Sequence, residues 1–149
     1  LTEESGKLGN LESELLWAID PLDGTTNFAH QYPVSAVSVG LMIEGIPVVG
    51  AIYDPFRQEL FQAANGLGAT RNRKPIRVSQ TQTLQSSLLV TGFAYDRHQT
   101  ADNNYAEFCY LTHLTQGVRR SGSAAMDLAY VACGRFDGFW ERGLSPWDM

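Results

Sequence analysis

The stretch WAIDPLDGTTNF, Trp17 to Phe28, constrains the fold more than any other part of the chain. An apolar run, LLWAI, reads as a strand heading into the interior. It ends in two aspartates, Asp20 and Asp23, spaced three apart around Pro21. Carboxylates at the end of a buried strand are costly unless a cation balances them. Small residues with free backbone N–H groups, Gly24-Thr25-Thr26, follow at once. The pattern asks for a cation on one side and an anion on the other.

A hard divalent cation with oxygen ligands answers the first demand, and magnesium suits a few carboxylates combined with phosphate and water. Pro21 fixes one backbone angle between the aspartates. The Leu22 carbonyl could then turn toward a metal as a neutral ligand between the carboxylates. Gly24 allows close backbone approach. A helix or turn beginning there would aim its free N–H groups at an anion, and the Thr25 hydroxyl could orient a metal-bound water. Carboxylates for a metal followed directly by amides for a phosphate is a phosphoryl-transfer arrangement. Gly122-Ser123-Ala124 opens a second helix and offers further amides to an anionic or polyhydroxylated ligand. The remaining carboxylates of interest are Glu3, Glu4, Glu141 and Asp148.

Taken singly, these features are ordinary. DPLDG alone is a turn, Glu3-Glu4 alone is surface charge, and GSAA alone is a capped helix start. His30, His98 and His113 lack metal-ligand spacing and read as surface or packing residues. Asp54 before Pro55 reads as a turn at a strand end, and Asp96 with Arg97 are weaker candidates for touching a ligand.

Along the chain, residues 1–14 read as loop and ELLWAID as the first strand. VSAVSVGLMIEGIPVVGAIYDP predicts a hairpin turning at Glu44-Gly45. Its imperfect alternation suggests a sheet buried on both faces. RQELFQAANGLGATRN predicts a further strand and a Gly-rich turn, and SLLVTGF a short strand. Tyr105, Phe108, Leu111 and Leu114 recur at helical spacing, with Asp102 placed to cap the start. GSAAMDLAYVACG is the clearest helix, from an N-cap at Ser123 to a stop at Gly134. FDGFWE closes as a strand. Sheets with interspersed helices make a layered mixed α and β domain.

At 149 residues the chain is long enough for one domain with a real core, and 44% apolar with 18% charged residues indicates a globular chain. A net charge of −5 and the lack of a basic run beyond Arg119-Arg120 argue against nucleic acid as the main partner. No apolar run is long enough to span a membrane. Cys109 and Cys133 lack metal spacing and read as reduced, packed thiols of a cytoplasmic protein, with a single disulfide as the alternative.

TEES, WAIDPLDGTTNF, GSAAMDLAYVACGRFDGFWE and SPWDM occur in that order and together span essentially the whole chain. In this combination the chain resembles the inositol monophosphatase family of magnesium-dependent, lithium-sensitive phosphatases, whose signature regions are DPLDGTTNF and WD. The resemblance implies an α/β mixed (α+β) fold, the layered αβαβα sandwich. Residues 1–149 would form a single, truncated domain of it, without the N-terminal helices and the C-terminal segment. It implies two or three Mg2+ ions held by Glu3, Asp20, the Leu22 carbonyl, Asp23 and Asp148, with Asp20 bridging two of them. Gly24 and Thr25 would bind phosphate through their amides, and Thr25 with Glu3 would position the attacking water. Gly122, Ser123, Ala124 and Glu141 would contact substrate hydroxyls. The implied reaction is in-line attack by water on a small phosphorylated polyol such as inositol 1-phosphate, without a phosphoenzyme, in a homodimer.

Histidinol phosphate, fructose bisphosphate and phosphoadenosine phosphate remain alternative substrates within the family, and a non-catalytic regulatory or dimerisation role is a second class of function. A third reading, the haloacid dehalogenase pattern Asp-x-Asp-Gly-Thr, fails on spacing. There the aspartates are two apart and share a strand face, whereas positions three apart do not.

Overall fold

The structure is a computed structural model and describes residues 1–3 and 14–148. The loop expected over 4–13, including Glu4, and the final Met149 lie outside the described residues. Six strands, β1 (Leu15–Asp23), β2 (Ala36–Ile43), β3 (Ile46–Asp54), β4 (Glu59–Ala64), β5 (Gly68–Arg71) and β6 (Lys74–Pro75), pair in chain order into one antiparallel sheet. A short helix, α1 (Thr25–Ala29), sits between β1 and β2. The hairpin falls where the sequence put it. Glu44 and Gly45 take φ of 51° and 78°, and Ile43 faces Ile46 across them. Two successive positive-φ residues give the turn whose twist matches the flanking strands.

The Gly-rich segment after Arg57 holds two strands, β4 and β5, where its sequence suggested one strand and a turn. Gly66 and Gly68, at φ 75° and 78°, reverse the chain and let Ala64 pair with Gly68. Asp54 closes β3 as a turn residue. Its buried carboxylate accepts from the Phe56 and Arg57 N–H groups and the Arg57 guanidinium.

The faces of this sheet differ. Cross-strand register places Ala18, Gly40, Gly50, Ala63 and Ala69 in one row and Asp20, Ser38, Ile52, Phe61 and Arg71 in the next, on the same face. The opposite face presents Leu15, Trp17, Val37, Ile43, Val49 and Tyr53, all exposed. The expectation of a sheet buried on both faces is therefore corrected: among the described residues nothing covers the second face.

The second half of the chain is β7 (Leu88–Thr91), α2 (Tyr105–Leu114), β8 (Gly117–Arg119), α3 (Ala124–Ala132) and β9 (Gly138–Trp140), with the strands forming a parallel sheet in the order β8-β7-β9. Helix α3 touches β2 and β3 on one side and β7 and β9 on the other, and α2 lies on β8. The layers run sheet, helix, sheet, helix. Ala36, Phe61, Met126 and Ala129 form the core between the first sheet and α3, with Ile52, Ile76, Tyr130 and Cys133 against them.

Helix α3 starts and stops as predicted. The Ser123 hydroxyl accepts from the Met126 N–H at 3.4 Å, and Gly134 leaves the helix at φ 77°. Helix α2 does not begin at Asp102. That carboxylate pairs with Arg142, and the residue before the helix is Asn104, at φ 71°. Both cysteines are free, and Cys109 is exposed rather than packed. None of the described helices is long and apolar enough to cross a membrane.

Candidate active site

The two aspartates converge through an irregularity in β1. Asp20 faces Ser38 on β2 and Asp23 faces Ala36, so three steps along β1 match two along its partner. This is one extra residue, a bulge, at Pro21-Leu22. Positions three apart on a regular strand point to opposite faces. The inserted residue returns Asp23 to the face of Asp20. Pro21, with no N–H to donate, fits a site where the ladder is already broken.

Asp20 is 1% exposed and Asp23 7%. An oxygen of Asp20 accepts from the Leu22 N–H at 2.8 Å. One oxygen of Asp23 accepts from both the Ser123 hydroxyl at 2.6 Å and the Ala125 N–H at 2.8 Å, which docks the start of α3 onto the end of β1. Asp148 caps its own turn by accepting from the Ser145 N–H at 2.7 Å. Asp20, Asp23 and Asp148 bring one oxygen each within 4.8 Å of one another. Glu3 is tied by its N–H to the Ile19 carbonyl at 3.3 Å, and its side chain hydrogen-bonds Asp20.

Burial, reinforced by neighbouring carboxylates, raises the Asp20 pKa to about 7 and that of Asp23 to about 6. Burial also raises that of Asp148. None of the ion pairs among the described residues involves these three groups. Among the described residues these oxygens converge with no cationic side chain paired to them, a donor set suited to a hard divalent ion.

The turn after Asp23 is sterically closed. Gly24 has φ 88°, and a Cβ there would lie 2.9 Å from the Val34 carbonyl and 3.2 Å from that of Gly122. The Thr25 hydroxyl donates to the Leu22 carbonyl at 3.0 Å, linking the two groups assigned separate roles from the sequence. Asn27, which sequence reasoning passed over, fastens this turn to the other half of the molecule. Its amide donates to the carbonyls of Val34 and Ser121, both at 2.8 Å.

A cleft of about 100 Å³ opens over these groups. Asp23, Gly24, Thr25 and Thr26 form one side, and Gly122, Ser123, Ala124, Glu141 and Asp148 lie around it. Burial raises the Glu141 pKa to about 7, against the lowering influence of Arg120. Asp127 is a second residue the sequence reading missed. It is 1% exposed, lines the cleft, accepts from the Ser121 hydroxyl, and is raised to about 7 by burial. The available signal was an acid inside the otherwise apolar AAMDLAYVA. Asp96 and Arg97 do not line the cleft, though the adjacent Phe93, Ala94 and Tyr95 do.

Fold and site together define a layered α/β protein with a carboxylate cluster at the mouth of a small polar cleft. The family profile for the inositol monophosphatase family matches residues 1–149. The chain is 72% identical to an inositol-1-monophosphatase of Synechocystis over 149 residues, which is 100% of this chain and 52% of that protein. It is 47% identical to the Nus factor SuhB of Escherichia coli K12, covering 100% of this chain and 56% of that one. Among solved structures, the inositol monophosphatase of Anabaena (Nostoc) sp. PCC 7120 superposes with a TM-score of 0.98 at 75% identity, covering 100% of this chain and 59% of that one. The chain belongs to the inositol monophosphatase family. It spans a little over half the length of these relatives.

Proposed function

We propose that this chain carries the metal and phosphate site of a magnesium-dependent phosphomonoesterase acting on a small phosphorylated polyol, with inositol 1-phosphate as the leading substrate. The observation that carries this reading is the convergence of Asp20, Asp23 and Asp148 beside the closed Gly24-Thr25 turn. Those three carboxylates, with Glu3 and the Leu22 carbonyl, would hold two or three Mg2+ ions. Magnesium in such a site supplies charge stabilisation for phosphoryl transfer and acidifies water.

The remaining roles belong to the chain. The Gly24 and Thr25 amides bind the phosphate oxygens. The Thr25 hydroxyl, held at the Leu22 carbonyl, and Glu3, held against Asp20, orient the attacking water. One oxygen of Asp23 is held by the Ser123 hydroxyl and the Ala125 N–H, which fixes the carboxylate as a ligand beside Asp20. The proposed reaction is direct displacement by water, without a phosphoenzyme. Glu141 and the Gly122–Ala124 turn take the hydroxyls of the leaving alcohol.

Phosphate release from inositol 1-phosphate by the full chain, with and without EDTA, tests this reading. Magnesium-dependent release supports it, and no release from inositol, histidinol or adenosine phosphates removes it. The Escherichia coli relative's designation as a Nus factor motivates a second reading, a regulatory or dimerisation role without catalysis. A partner that Asp20→Asn still captures from solution would favour that role. The homodimer and the cytoplasmic setting are part of the proposal, and sedimentation of the purified chain checks the former.

A further inference from the structure

Asn104 precedes α2 at φ 71°, yet its side chain caps nothing there. It is turned inward, 1% exposed, with both ends of the amide engaged. Its Nδ2 donates to Thr91 Oγ1 and to the Gly92 carbonyl, each at 2.8 Å. Its Oδ1 accepts from Trp140 Nε1. The buried Thr91 hydroxyl in turn donates to the Trp140 carbonyl at 2.5 Å. One side chain thus ties together the C-terminal ends of β7 and β9. The residues just past those ends, Gly92 and Glu141, both line the cleft. The Glu141 carboxylate lies so close against Gly92 that a Cβ there would come within 2.1 Å of it.

We propose that Asn104 is a positioning residue: it sets the Glu141 carboxylate on the bare backbone of Gly92 and so governs which alcohol portion of a phosphate ester the cleft accepts. The inference rests on the phosphomonoesterase reading above. Asparagine suits the task because it offers two N–H donors and an acceptor in one flat group and tolerates a positive φ better than most residues. In the phosphomonoesterase reading Glu141 takes the hydroxyls of the leaving alcohol, while Asp20, Asp23 and Asp148 make the metal-binding cluster. Displacement of Glu141 is therefore felt by esters whose alcohol carries hydroxyls and not by esters without them.

The test measures kcat and KM of the full chain with magnesium on inositol 1-phosphate and on p-nitrophenyl phosphate, whose leaving group lacks alcohol hydroxyls. Asn104→Gly removes the amide while keeping the positive φ easy to adopt, and Asn104→Asp keeps the acceptor but loses both donors. Each is expected to lower kcat/KM for the polyol ester about tenfold, with the aryl ester within about twofold. Thermal unfolding establishes that the variants fold. Gly92→Ala leaves Asn104 in place, pushes a methyl against the Glu141 carboxylate, and lowers the ratio of polyol-ester to aryl-ester kcat/KM. Equal loss on both esters, or an unchanged ratio in a folded Asn104 variant or in Gly92→Ala, overturns the proposal. A parent chain that hydrolyses neither ester removes the phosphomonoesterase reading and this inference with it; an active parent with an unmoved ratio removes the inference alone.

Discussion

The two walls of the cleft are built differently. One wall is a continuous run, Asp23 to Thr26, placed by the bulge that follows Asp20 and by the turn at Gly24. The other is assembled from the ends of separate elements: Gly92 after β7, Ser123 and Asp127 at the start of α3, and Glu141 after β9. The continuous run, with Asp20 ahead of its bulge, supplies two of the three carboxylates that converge on one point, Asp20 and Asp23, with Asp148 the third, whereas the assembled wall holds groups that surround a volume. Chemistry common to every substrate of such a site belongs on the first. Discrimination between substrates belongs on the second, where a small shift of one element reshapes the space.

That division makes substitutions in the two walls differ in kind. The largest effect is expected from Asp20→Asn, which removes a carboxylate from the centre of the cluster. Turnover should fall at least ~100-fold on every phosphate ester alike, and equal loss on polyol and aryl esters is the diagnostic outcome. Gly24→Ala comes next. The added Cβ meets the Val34 carbonyl at 2.9 Å, backbone that cannot swing aside, at a φ of 88°. A loss of about 1–3 kcal/mol in denaturant unfolding is expected, with activity falling on all esters.

Ser123→Ala tests the seam between the walls. It deletes both the α3 cap and a hydrogen bond to Asp23, and should cost about 1–2 kcal/mol in urea melts. Loss of that donor should also push the Asp23 pKa further up, measurable by carboxyl NMR titration.

Asp127→Asn differs in kind, because its effect shows as a change in pH dependence. The Asp127 carboxyl is raised in the folded chain to about 7 from 3.8. Its neutral form stabilises the fold fully below pH 4, and this contribution is lost as pH rises toward 7. Without metal, the parent should therefore lose stability between pH 4 and pH 7. The variant should lose less, the difference in slope being at most ~1.4 kcal/mol per pH unit. Urea unfolding in EDTA at several pH values checks this; parallel slopes would count against it.

The same contrast explains what is legible in the amino-acid sequence alone. Asp20, Asp23 and Gly24 announce themselves because their chemistry is local: a strand, a proline, two acids and a glycine in sequence. The Glu44-Gly45 hairpin and the Ser123-to-Gly134 helix were legible for the same reason. The bulge was not, because an extra residue is defined only against the partner strand, and regular alternation would have sent Asp20 and Asp23 to opposite faces. Asp127 and Asn104 stayed hidden for a related cause. A lone acid in a helix and an asparagine before one usually mean surface and cap. Here the Asp127 carboxylate turns into the cleft beside Ser121, and the Asn104 amide turns away from its own helix toward β7 and β9. Their roles come from partners outside their own helices, 6 residues away for Asp127 and 13 and 36 residues away for Asn104. The face of the first sheet that no described residue covers is not legible either, because apolar residues on both sides of a strand show that burial is needed, not what supplies it.

The central claim is that the continuous wall is a metal site completed by phosphate. Magnesium titration of the full chain by calorimetry, with and without inorganic phosphate and beside Asp20→Asn, tests it most directly. The account predicts magnesium binding that tightens when phosphate is present and disappears in the variant. Absence of binding, or binding that Asp20→Asn leaves unchanged, would contradict it.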